Sequence, residues 1–168
     1  DRPIKTKWQG REVAGRKGAI ADAGTRVPFV VNWPGKITSQ VYKKELVDFS
    51  DIMPTLCDVA GAALPQNYPG DGVSLWPLLS GKGKREKKNI YIWHDGRTWA
   101  RTVNYGVRFD EGKKGFKYQK FNGHFKVSKV SLERASEKEK IILKSLQKVI
   151  EDMGKVDNIR GRVPMKNK

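Results

Sequence analysis

Gly15-Arg16-Lys17-Gly18-Ala19-Ile20-Ala21-Asp22-Ala23-Gly24-Thr25-Arg26-Val27-Pro28-Phe29 is the stretch that sets the reading of this chain. Glycines at 15, 18 and 24 let the backbone approach another group closely, where a Cβ would stand in the way. Directly after it, Val27-Pro28-Phe29-Val30-Val31-Asn32-Trp33 is a short apolar run closed by Pro34-Gly35, the pattern of a buried strand that ends in a turn. A lysine in a glycine-flanked loop just before such a strand can set its ammonium at the rim of a sheet, as a point charge on an anionic group. On spacing alone the competing reading is a solvated surface lysine.

Outward from this stretch, residues 1–26 are rich in glycine and basic residues and read as a loop. A short element over Lys43 to Phe49 leads to Ser50, a good N-cap, and to a helix from Asp51 with Pro54 in its first turn, where a proline costs little. Met53, Leu56, Cys57 and Ala60 then form one apolar face, and Gly61 ends the helix. Asp71-Gly72 is a turn, followed by a helical piece from Leu75 to Leu79 with Ser74 as its cap.

Gly81-Lys82-Gly83-Lys84-Arg85-Glu86-Lys87-Lys88 reads as a polar, flexible connector, which places a domain boundary there and divides the chain into 1–81 and 82–168. Beyond it, Ile90 to Trp93, Ala100 to Phe109, Phe116 to Phe121 and His124 to Val130 have strand composition. Asn122-Gly123 signals a hairpin with a type I′ turn. Ser136 and Glu139 spell a capping box, which opens an amphipathic helix over about 137–153. Its apolar face is Ile142, Leu146, Val149, Ile150 and Met153, and Gly154 is expected to stop it, leaving a frayed basic tail from Arg160 to Lys168. The expected fold is therefore α/β material first, then a small antiparallel sheet covered by a C-terminal helix.

Composition narrows the function classes. With 34 Lys+Arg against 18 Asp+Glu in 168 residues, the net charge is +16, which attracts polyanions such as nucleic acid, anionic membrane or sulfated glycan. The basic residues are spread along the chain with a denser patch at Lys82 to Lys88, and most are expected to be solvated surface. No nucleic-acid-binding motif accompanies the charge, so no specific nucleic-acid partner is expected. One cysteine, Cys57, excludes an internal disulfide and any cysteine-based metal site, and its place on the helix face marks it as a core thiol. No apolar run approaches the about 18 residues that span a bilayer. Asp1-Arg2-Pro3-Ile4 has neither an initiator methionine nor a signal-peptide core, so the chain reads as a piece of a longer protein.

Three motifs resemble the type I, formylglycine-dependent sulfatases of the alkaline-phosphatase-like superfamily, in that family's order. They are the Arg16-Lys17-Gly18 loop with Asp22-Ala23-Gly24-Thr25-Arg26-Val27-Pro28 and Asn32-Trp33-Pro34-Gly35; Asp48-Phe49-Ser50-Asp51-Ile52-Met53-Pro54-Thr55-Leu56 through Ala60-Gly61; and Asp71-Gly72-Val73-Ser74-Leu75-Trp76-Pro77-Leu78-Leu79. The resemblance covers roughly residues 10–81; beyond that only the texture agrees. It implies the C-terminal portion of a sulfatase fold, residues 1–81 belonging to the large catalytic domain and 82–168 to the small C-terminal subdomain, and hydrolysis of a sulfate ester, on a sulfated glycan or an aryl sulfate. It also implies a formylglycine nucleophile made from Cys or Ser in a Cys/Ser-x-Pro-x-Arg motif, and a Ca²⁺ or Mg²⁺ that orients the sulfate. Both would lie upstream: Cys57 is followed by Asp58-Val59-Ala60, and Asp1-Arg2-Pro3 does not match the family's Asp-Asn-Gly metal motif. No metal ligand is assigned within the chain. The remaining partner is the rest of the catalytic domain, without which the chain is expected to be inactive.

In that family, the lysine at the position of Lys17 contacts the sulfate and the formylglycine, so the resemblance makes Lys17 the catalytic residue. His94, at a strand end before Asp95-Gly96, is a candidate for binding a leaving-group oxygen or a sugar hydroxyl; a structural role competes. Arg97 and Trp99 are candidates for a glycan subsite, through guanidinium–sulfate pairing and stacking. His124 follows the hairpin turn and is expected at the surface, and Trp33 and Trp76 are expected to pack. Ala19 and Ile20 stand where many relatives carry hydroxyl residues, and Asp22-Ala23 where Glu-Gly is common. A phosphodiesterase or phosphonate hydrolase on the same scaffold is the nearest alternative, and a basic nucleic-acid-binding module the more distant one. A periplasmic or secreted location follows from the family alone.

Overall fold

A computed structural model describes residues 4–42, 44–113, 115–123 and 126–159. In chain order the elements are β1 (Lys5–Trp8), β2 (Arg11–Ala14), α1 (Asp22–Thr25), α2 (Ile52–Ala60), α3 (Trp76–Leu79), β3 (Ile90–His94), β4 (Arg97–Arg101), β5 (Tyr105–Asp110), β6 (Phe116–Phe121), β7 (Val127–Val130) and α4 (Glu137–Ile159). It is a mixed α/β chain whose largest feature is a five-stranded antiparallel sheet in the order β3-β4-β5-β6-β7. Two compact units are formed, residues 1–28 with 91–168, and residues 29–90. This line differs from a single break after residue 81, because the lysine loop folds onto a sheet built from sequence far downstream.

In the first unit each sheet face has its own cover. The register sets Ala100 opposite Val107 and Val107 opposite Tyr118, and these positions point toward α4. Leu143, Leu146 and Ile150 follow helical spacing and close that core over Ala100 and Val107, with Tyr91, Ile142 and Val149 around them. Alternation along the strands sends Trp99 and Phe121 to the opposite face, where Ile20 from the lysine loop and Ile92 complete a second cluster. Gly106 makes the second cluster possible: a Cβ there would stand 2.6 Å from Trp99 Nε1 and 2.9 Å from Phe121 Cζ. Trp99 and Phe121 meet edge to face, with ring centroids 5.8 Å apart.

The capping box at the start of α4 forms as read from the sequence. The Ser136 N–H donates to Glu139 Oε2 at 3.1 Å, and the Glu139 N–H donates to Ser136 Oγ at 3.4 Å. Glu139 Oε1 also accepts from Lys120 at 2.8 Å and from the Tyr105 hydroxyl at 3.1 Å, tying the helix start to the sheet. Gly154 does not stop this helix, which continues to Ile159; a single helical glycine carries only a modest propensity cost. Three further expectations are corrected here. Residues 1–26 are not all loop, since β1 and β2 form a hairpin. The strand expected over 100–109 is two strands, which turn at 102–104. Asn122-Gly123 does not make a two-residue turn, since Phe121 stands opposite Val127; His124 lies outside the described residues, as does the tail 160–168.

The second unit departs more from the sequence reading. The run 27–33 forms no strand, and Val27, Phe29, Val30, Val31 and Trp33 are exposed, because no neighbouring strand among the described residues pairs with it. Met53, Leu56 and Ala60 on the expected core face of α2 are exposed and Cys57 is half-buried, while Pro54 and Thr55 are buried instead. Trp33 and Trp76 pack on each other, as expected, with ring centroids 5.8 Å apart.

Buried charge organises this unit. Asp51 is fully buried; Oδ1 accepts from the Val73 N–H and Oδ2 from the Asp48 N–H, each at 2.9 Å. Arg85 Nη2 lies 2.5 Å from Asp51 Oδ2, and Lys87 Nζ bridges Asp48 and Asp51 at 2.7 Å each. Arg85 further donates to the carbonyls of Leu46 and Val73. The stretch expected to be a flexible solvated connector is thus anchored by two buried cations, since the fully buried Asp51 and the half-buried Asp48 beside it require them. Helix N-capping falls to Asp48, which accepts from the Ser50 N–H, rather than to Ser50.

These carboxylates make folding sensitive to acid. Burial opposes ionisation of Asp51, but Lys87 and the amides of Asp48 and Val73 outweigh it and hold the carboxyl below its usual range. Lys120, with Ser136 and Tyr105, holds Glu139 down at about 2. A depressed carboxylate contributes its stability above its unfolded pKa and loses it as pH falls through the folded one. The melting temperature should therefore fall on acidification from about pH 4.5 towards 2, and Glu139→Gln should show a shallower decline in that window when followed by circular dichroism. An unchanged slope in the variant would remove Glu139 from the account.

Candidate functional site

The lysine loop is held at three levels. Its base is tied to the terminal hairpin, where the Gly15 N–H donates to the Ile4 carbonyl at 2.8 Å. Its body folds back on itself. The Ala19 N–H donates to the Arg16 carbonyl at 2.9 Å, the Ala21 carbonyl accepts from the N–H groups of Gly24 and Thr25, and the Thr25 hydroxyl joins them at 2.9 Å. Gly24 sits where a Cβ would run into the carbonyls of Ala19 and Arg16, so only glycine lets the loop close. Gly18 has φ +76, a conformation that glycine adopts without strain.

Its third attachment is to the sheet. Ile20 is buried against Trp99 and Phe121, and Asp22 pairs with Arg101 through Oδ1 and Nη1. Arg101 is buried with its guanidinium 4.9 Å from the Trp99 ring and 4.2 Å from the Phe121 ring. Burial lowers the Arg101 pKa and the Asp22 carboxylate opposes that drop. Arg26 adds a second, half-exposed contact to Asp22 Oδ2 at 3.4 Å.

This anchoring sets the lysine loop beside one further predicted residue, His94. A Cβ built on Gly18 would lie 3.7 Å from His94 Nε2, so the Lys17–Gly18 turn rests beside the His94 ring. Lys17 is exposed in that turn, free of the hydrogen bonds that fix the loop body. His94 ends β3, and Asp95 and Gly96, with φ of 50° and 66°, turn the chain into β4. Arg97 opens β4, half-buried, 3.4 Å from Asp95 Oδ2. Trp99 is not part of an open subsite: it is 1% exposed and packs as core, which removes it from glycan stacking. The sequence reading missed Asp22 and Arg101. An arginine two residues after a core tryptophan on one strand, on the same face by alternation, was the available signal.

The described residues do not fit a divalent cation. No group of three His, Cys, Asp or Glu side chains gathers among them, and Asp22, the buried carboxylate of the loop, is engaged by Arg101 and Arg26. What the corner can do is electrostatic: an exposed ammonium and an imidazole, held on a rigid base, can face an anion and donate hydrogen bonds to it.

The chain is the C-terminal part of a sulfatase-type protein, as a family match over most of its length shows. Residues 16–153 match the family N-sulphoglucosamine sulphohydrolase, C-terminal, and the chain belongs to it. Arylsulfatase A of Bos taurus is 42% identical over 77 residues, 46% of this chain and 15% of the relative. Human arylsulfatase G is 27% identical over 172 aligned positions, 90% of this chain and 33% of the relative. The ulvan-active sulfatase of Formosa agariphila is 35% identical over 75 residues, 45% of this chain and 15% of the relative. The chain thus spans a third or less of the length of these relatives. No solved structure matches it. Among the described residues no helix is long and apolar enough to cross a membrane.

Removing Asp22 would strand the Arg101 cation between two aromatic rings. Asp22→Ala should cost about 3–5 kcal/mol, the range for breaking a buried pair from one side. Chemical denaturation checks this, and a loss below about 1 kcal/mol would show that the pair is not what holds the loop.

Proposed function

We propose that the protein containing this chain is a sulfuric ester hydrolase and that Lys17 contacts the sulfuryl group during turnover. The observation that carries the reading is the anchored loop itself, with Gly18, the neighbour of the exposed Lys17, set beside His94 on a base tied down by the Asp22–Arg101 pair. Negative charge grows on the sulfuryl oxygens as the ester bond breaks. An ammonium already in place stabilises that charge without reorganisation. His94, within reach of the same space, would hydrogen-bond the leaving-group oxygen or a neighbouring hydroxyl, and Arg97 would bind further along the substrate. The substrate class is a sulfated glycan or an aryl sulfate. The formylglycine nucleophile and a Ca²⁺ or Mg²⁺ would be supplied by parts of the enzyme outside this chain. Membership of the sulfatase family and the named activities of the relatives support this reading, and they favour it over phosphodiester or phosphonate hydrolysis. Export from the cytoplasm belongs to the same proposal.

Lys17→Ala in the complete enzyme should lower kcat on an aryl sulfate by about 100- to 1000-fold, the typical loss for one preorganised transition-state donor. Its melting temperature should stay within about 2 °C of the parent, since Lys17 makes no packing contact. Turnover within about threefold of the parent would refute the catalytic role.

A further inference from the structure

Beyond the Lys17–His94 corner, the same sheet face carries a line of cations that neither the fold nor the anchoring of the loop requires. Trp99 stands opposite Arg108, and Arg108 opposite Lys117, so the three share one face. Arg97 lies two residues before Trp99 and is therefore diagonal to Arg108. Burial lowers the Arg108 pKa, the charge of Arg97 lowers it further, and Asp110 only partly offsets them. The nearby carboxylates are shared among these cations: Asp95 Oδ2 lies 3.4 Å from Arg97, while Asp110 stands opposite Arg97 and accepts from the Gly112 N–H at 3.2 Å. Among the described residues Arg108 has no hydrogen-bond or ion-pair partner, although its side chain is half-buried. Like charges set directly opposite on a sheet weaken it, so the arrangement is one that a bound anion would relieve.

We propose that Arg108, with Arg97 and Lys117, forms a second anion-binding subsite that takes a further sulfate or carboxylate group of a sulfated glycan. This deepens the sulfatase reading and rests on it for the substrate class, but its geometry is independent of Lys17. His94 and Arg97 flank a two-residue turn, so the subsite adjoins the corner where the scissile sulfate would sit. An elongated substrate with two anionic groups could then engage both, whereas a simple aryl sulfate would engage only the first.

The test compares three probes in the complete enzyme: an aryl monosulfate, a disulfated disaccharide, and a monosulfated disaccharide with a uronate carboxylate. Arg108→Gln should raise KM by about 10- to 100-fold for whichever disaccharide supplies the second anion, and leave the aryl sulfate within about twofold. The two disaccharides separate a sulfate from a carboxylate as the second group. Lys148→Gln, the same charge change at an exposed position on the helix α4, should alter neither. Equal losses in the two variants would reduce the effect to bulk charge, and an equal loss on the aryl sulfate would make Arg108 merely structural; either overturns the subsite. If Arg108→Gln melts early, Lys117→Gln, on an exposed side chain, takes its place with an expected about 3- to 10-fold rise, and no rise overturns the proposal. Calorimetric binding of the same disaccharides keeps the two readings apart. Loss of binding in Arg108→Gln by an enzyme without sulfatase turnover would sink the activity and leave the subsite, while turnover with unaltered binding would do the reverse.

Discussion

The buried ion pair between Asp22 and Arg101 is the constraint on which the presentation of the lysine loop depends. It joins a one-turn helix near the start of the chain to the second strand of a sheet built some eighty residues later. Alone, either charge would be expelled to water, carrying its segment away. Together, with Arg101 lying over Trp99 and Phe121, they hold Ile20 in the second core and so fix where Gly18 and Lys17 emerge. Lys17 and Gly18 lie only a few residues from the anchor. A free loop would keep its conformational entropy, whereas this turn has lost most of it on folding.

The second unit uses the same device for a different end. Asp48 and Asp51 are buried by the turn that begins α2, and Arg85 and Lys87 are drawn in from a stretch of sequence that otherwise looks like a solvated linker. Here buried charge fixes the path of a connecting segment. Glu139 does comparable work at the surface, where one carboxylate closes the capping box of α4 and reaches Lys120 on β6. In each case a carboxylate with several donors locks chain segments that are far apart in sequence.

The cationic face beside the lysine turn differs from these sites in having too few carboxylates. Arg101 is paired within the fold, whereas Arg108, one strand away on the same face, is half-buried and has no ion-pair partner among the described residues. That contrast between a satisfied and an unsatisfied arginine distinguishes an anchor from a surface suited to an external anion.

How much of this could be read in the residues follows the range of the interactions. The capping box at Ser136 and Glu139, most of the apolar face of the last helix and the strand character of β6 and β7 were legible, because helical period and strand composition are local. Trp33 and Trp76 were rightly read as packing residues. The apolar run 27–33 and the face of α2 misled, since an apolar pattern declares a need for burial but not whether a partner strand or helix is at hand to meet it. The chain by itself settled the family, the antiparallel strands of the later part and the final helix. Tertiary structure alone decided that Arg85, Lys87 and Arg101 are buried counter-ions while Arg108 stays unpaired. A charge's fate depends on which opposite charge the fold brings within a few ångströms, and that partner lies at a sequence distance no local pattern encodes.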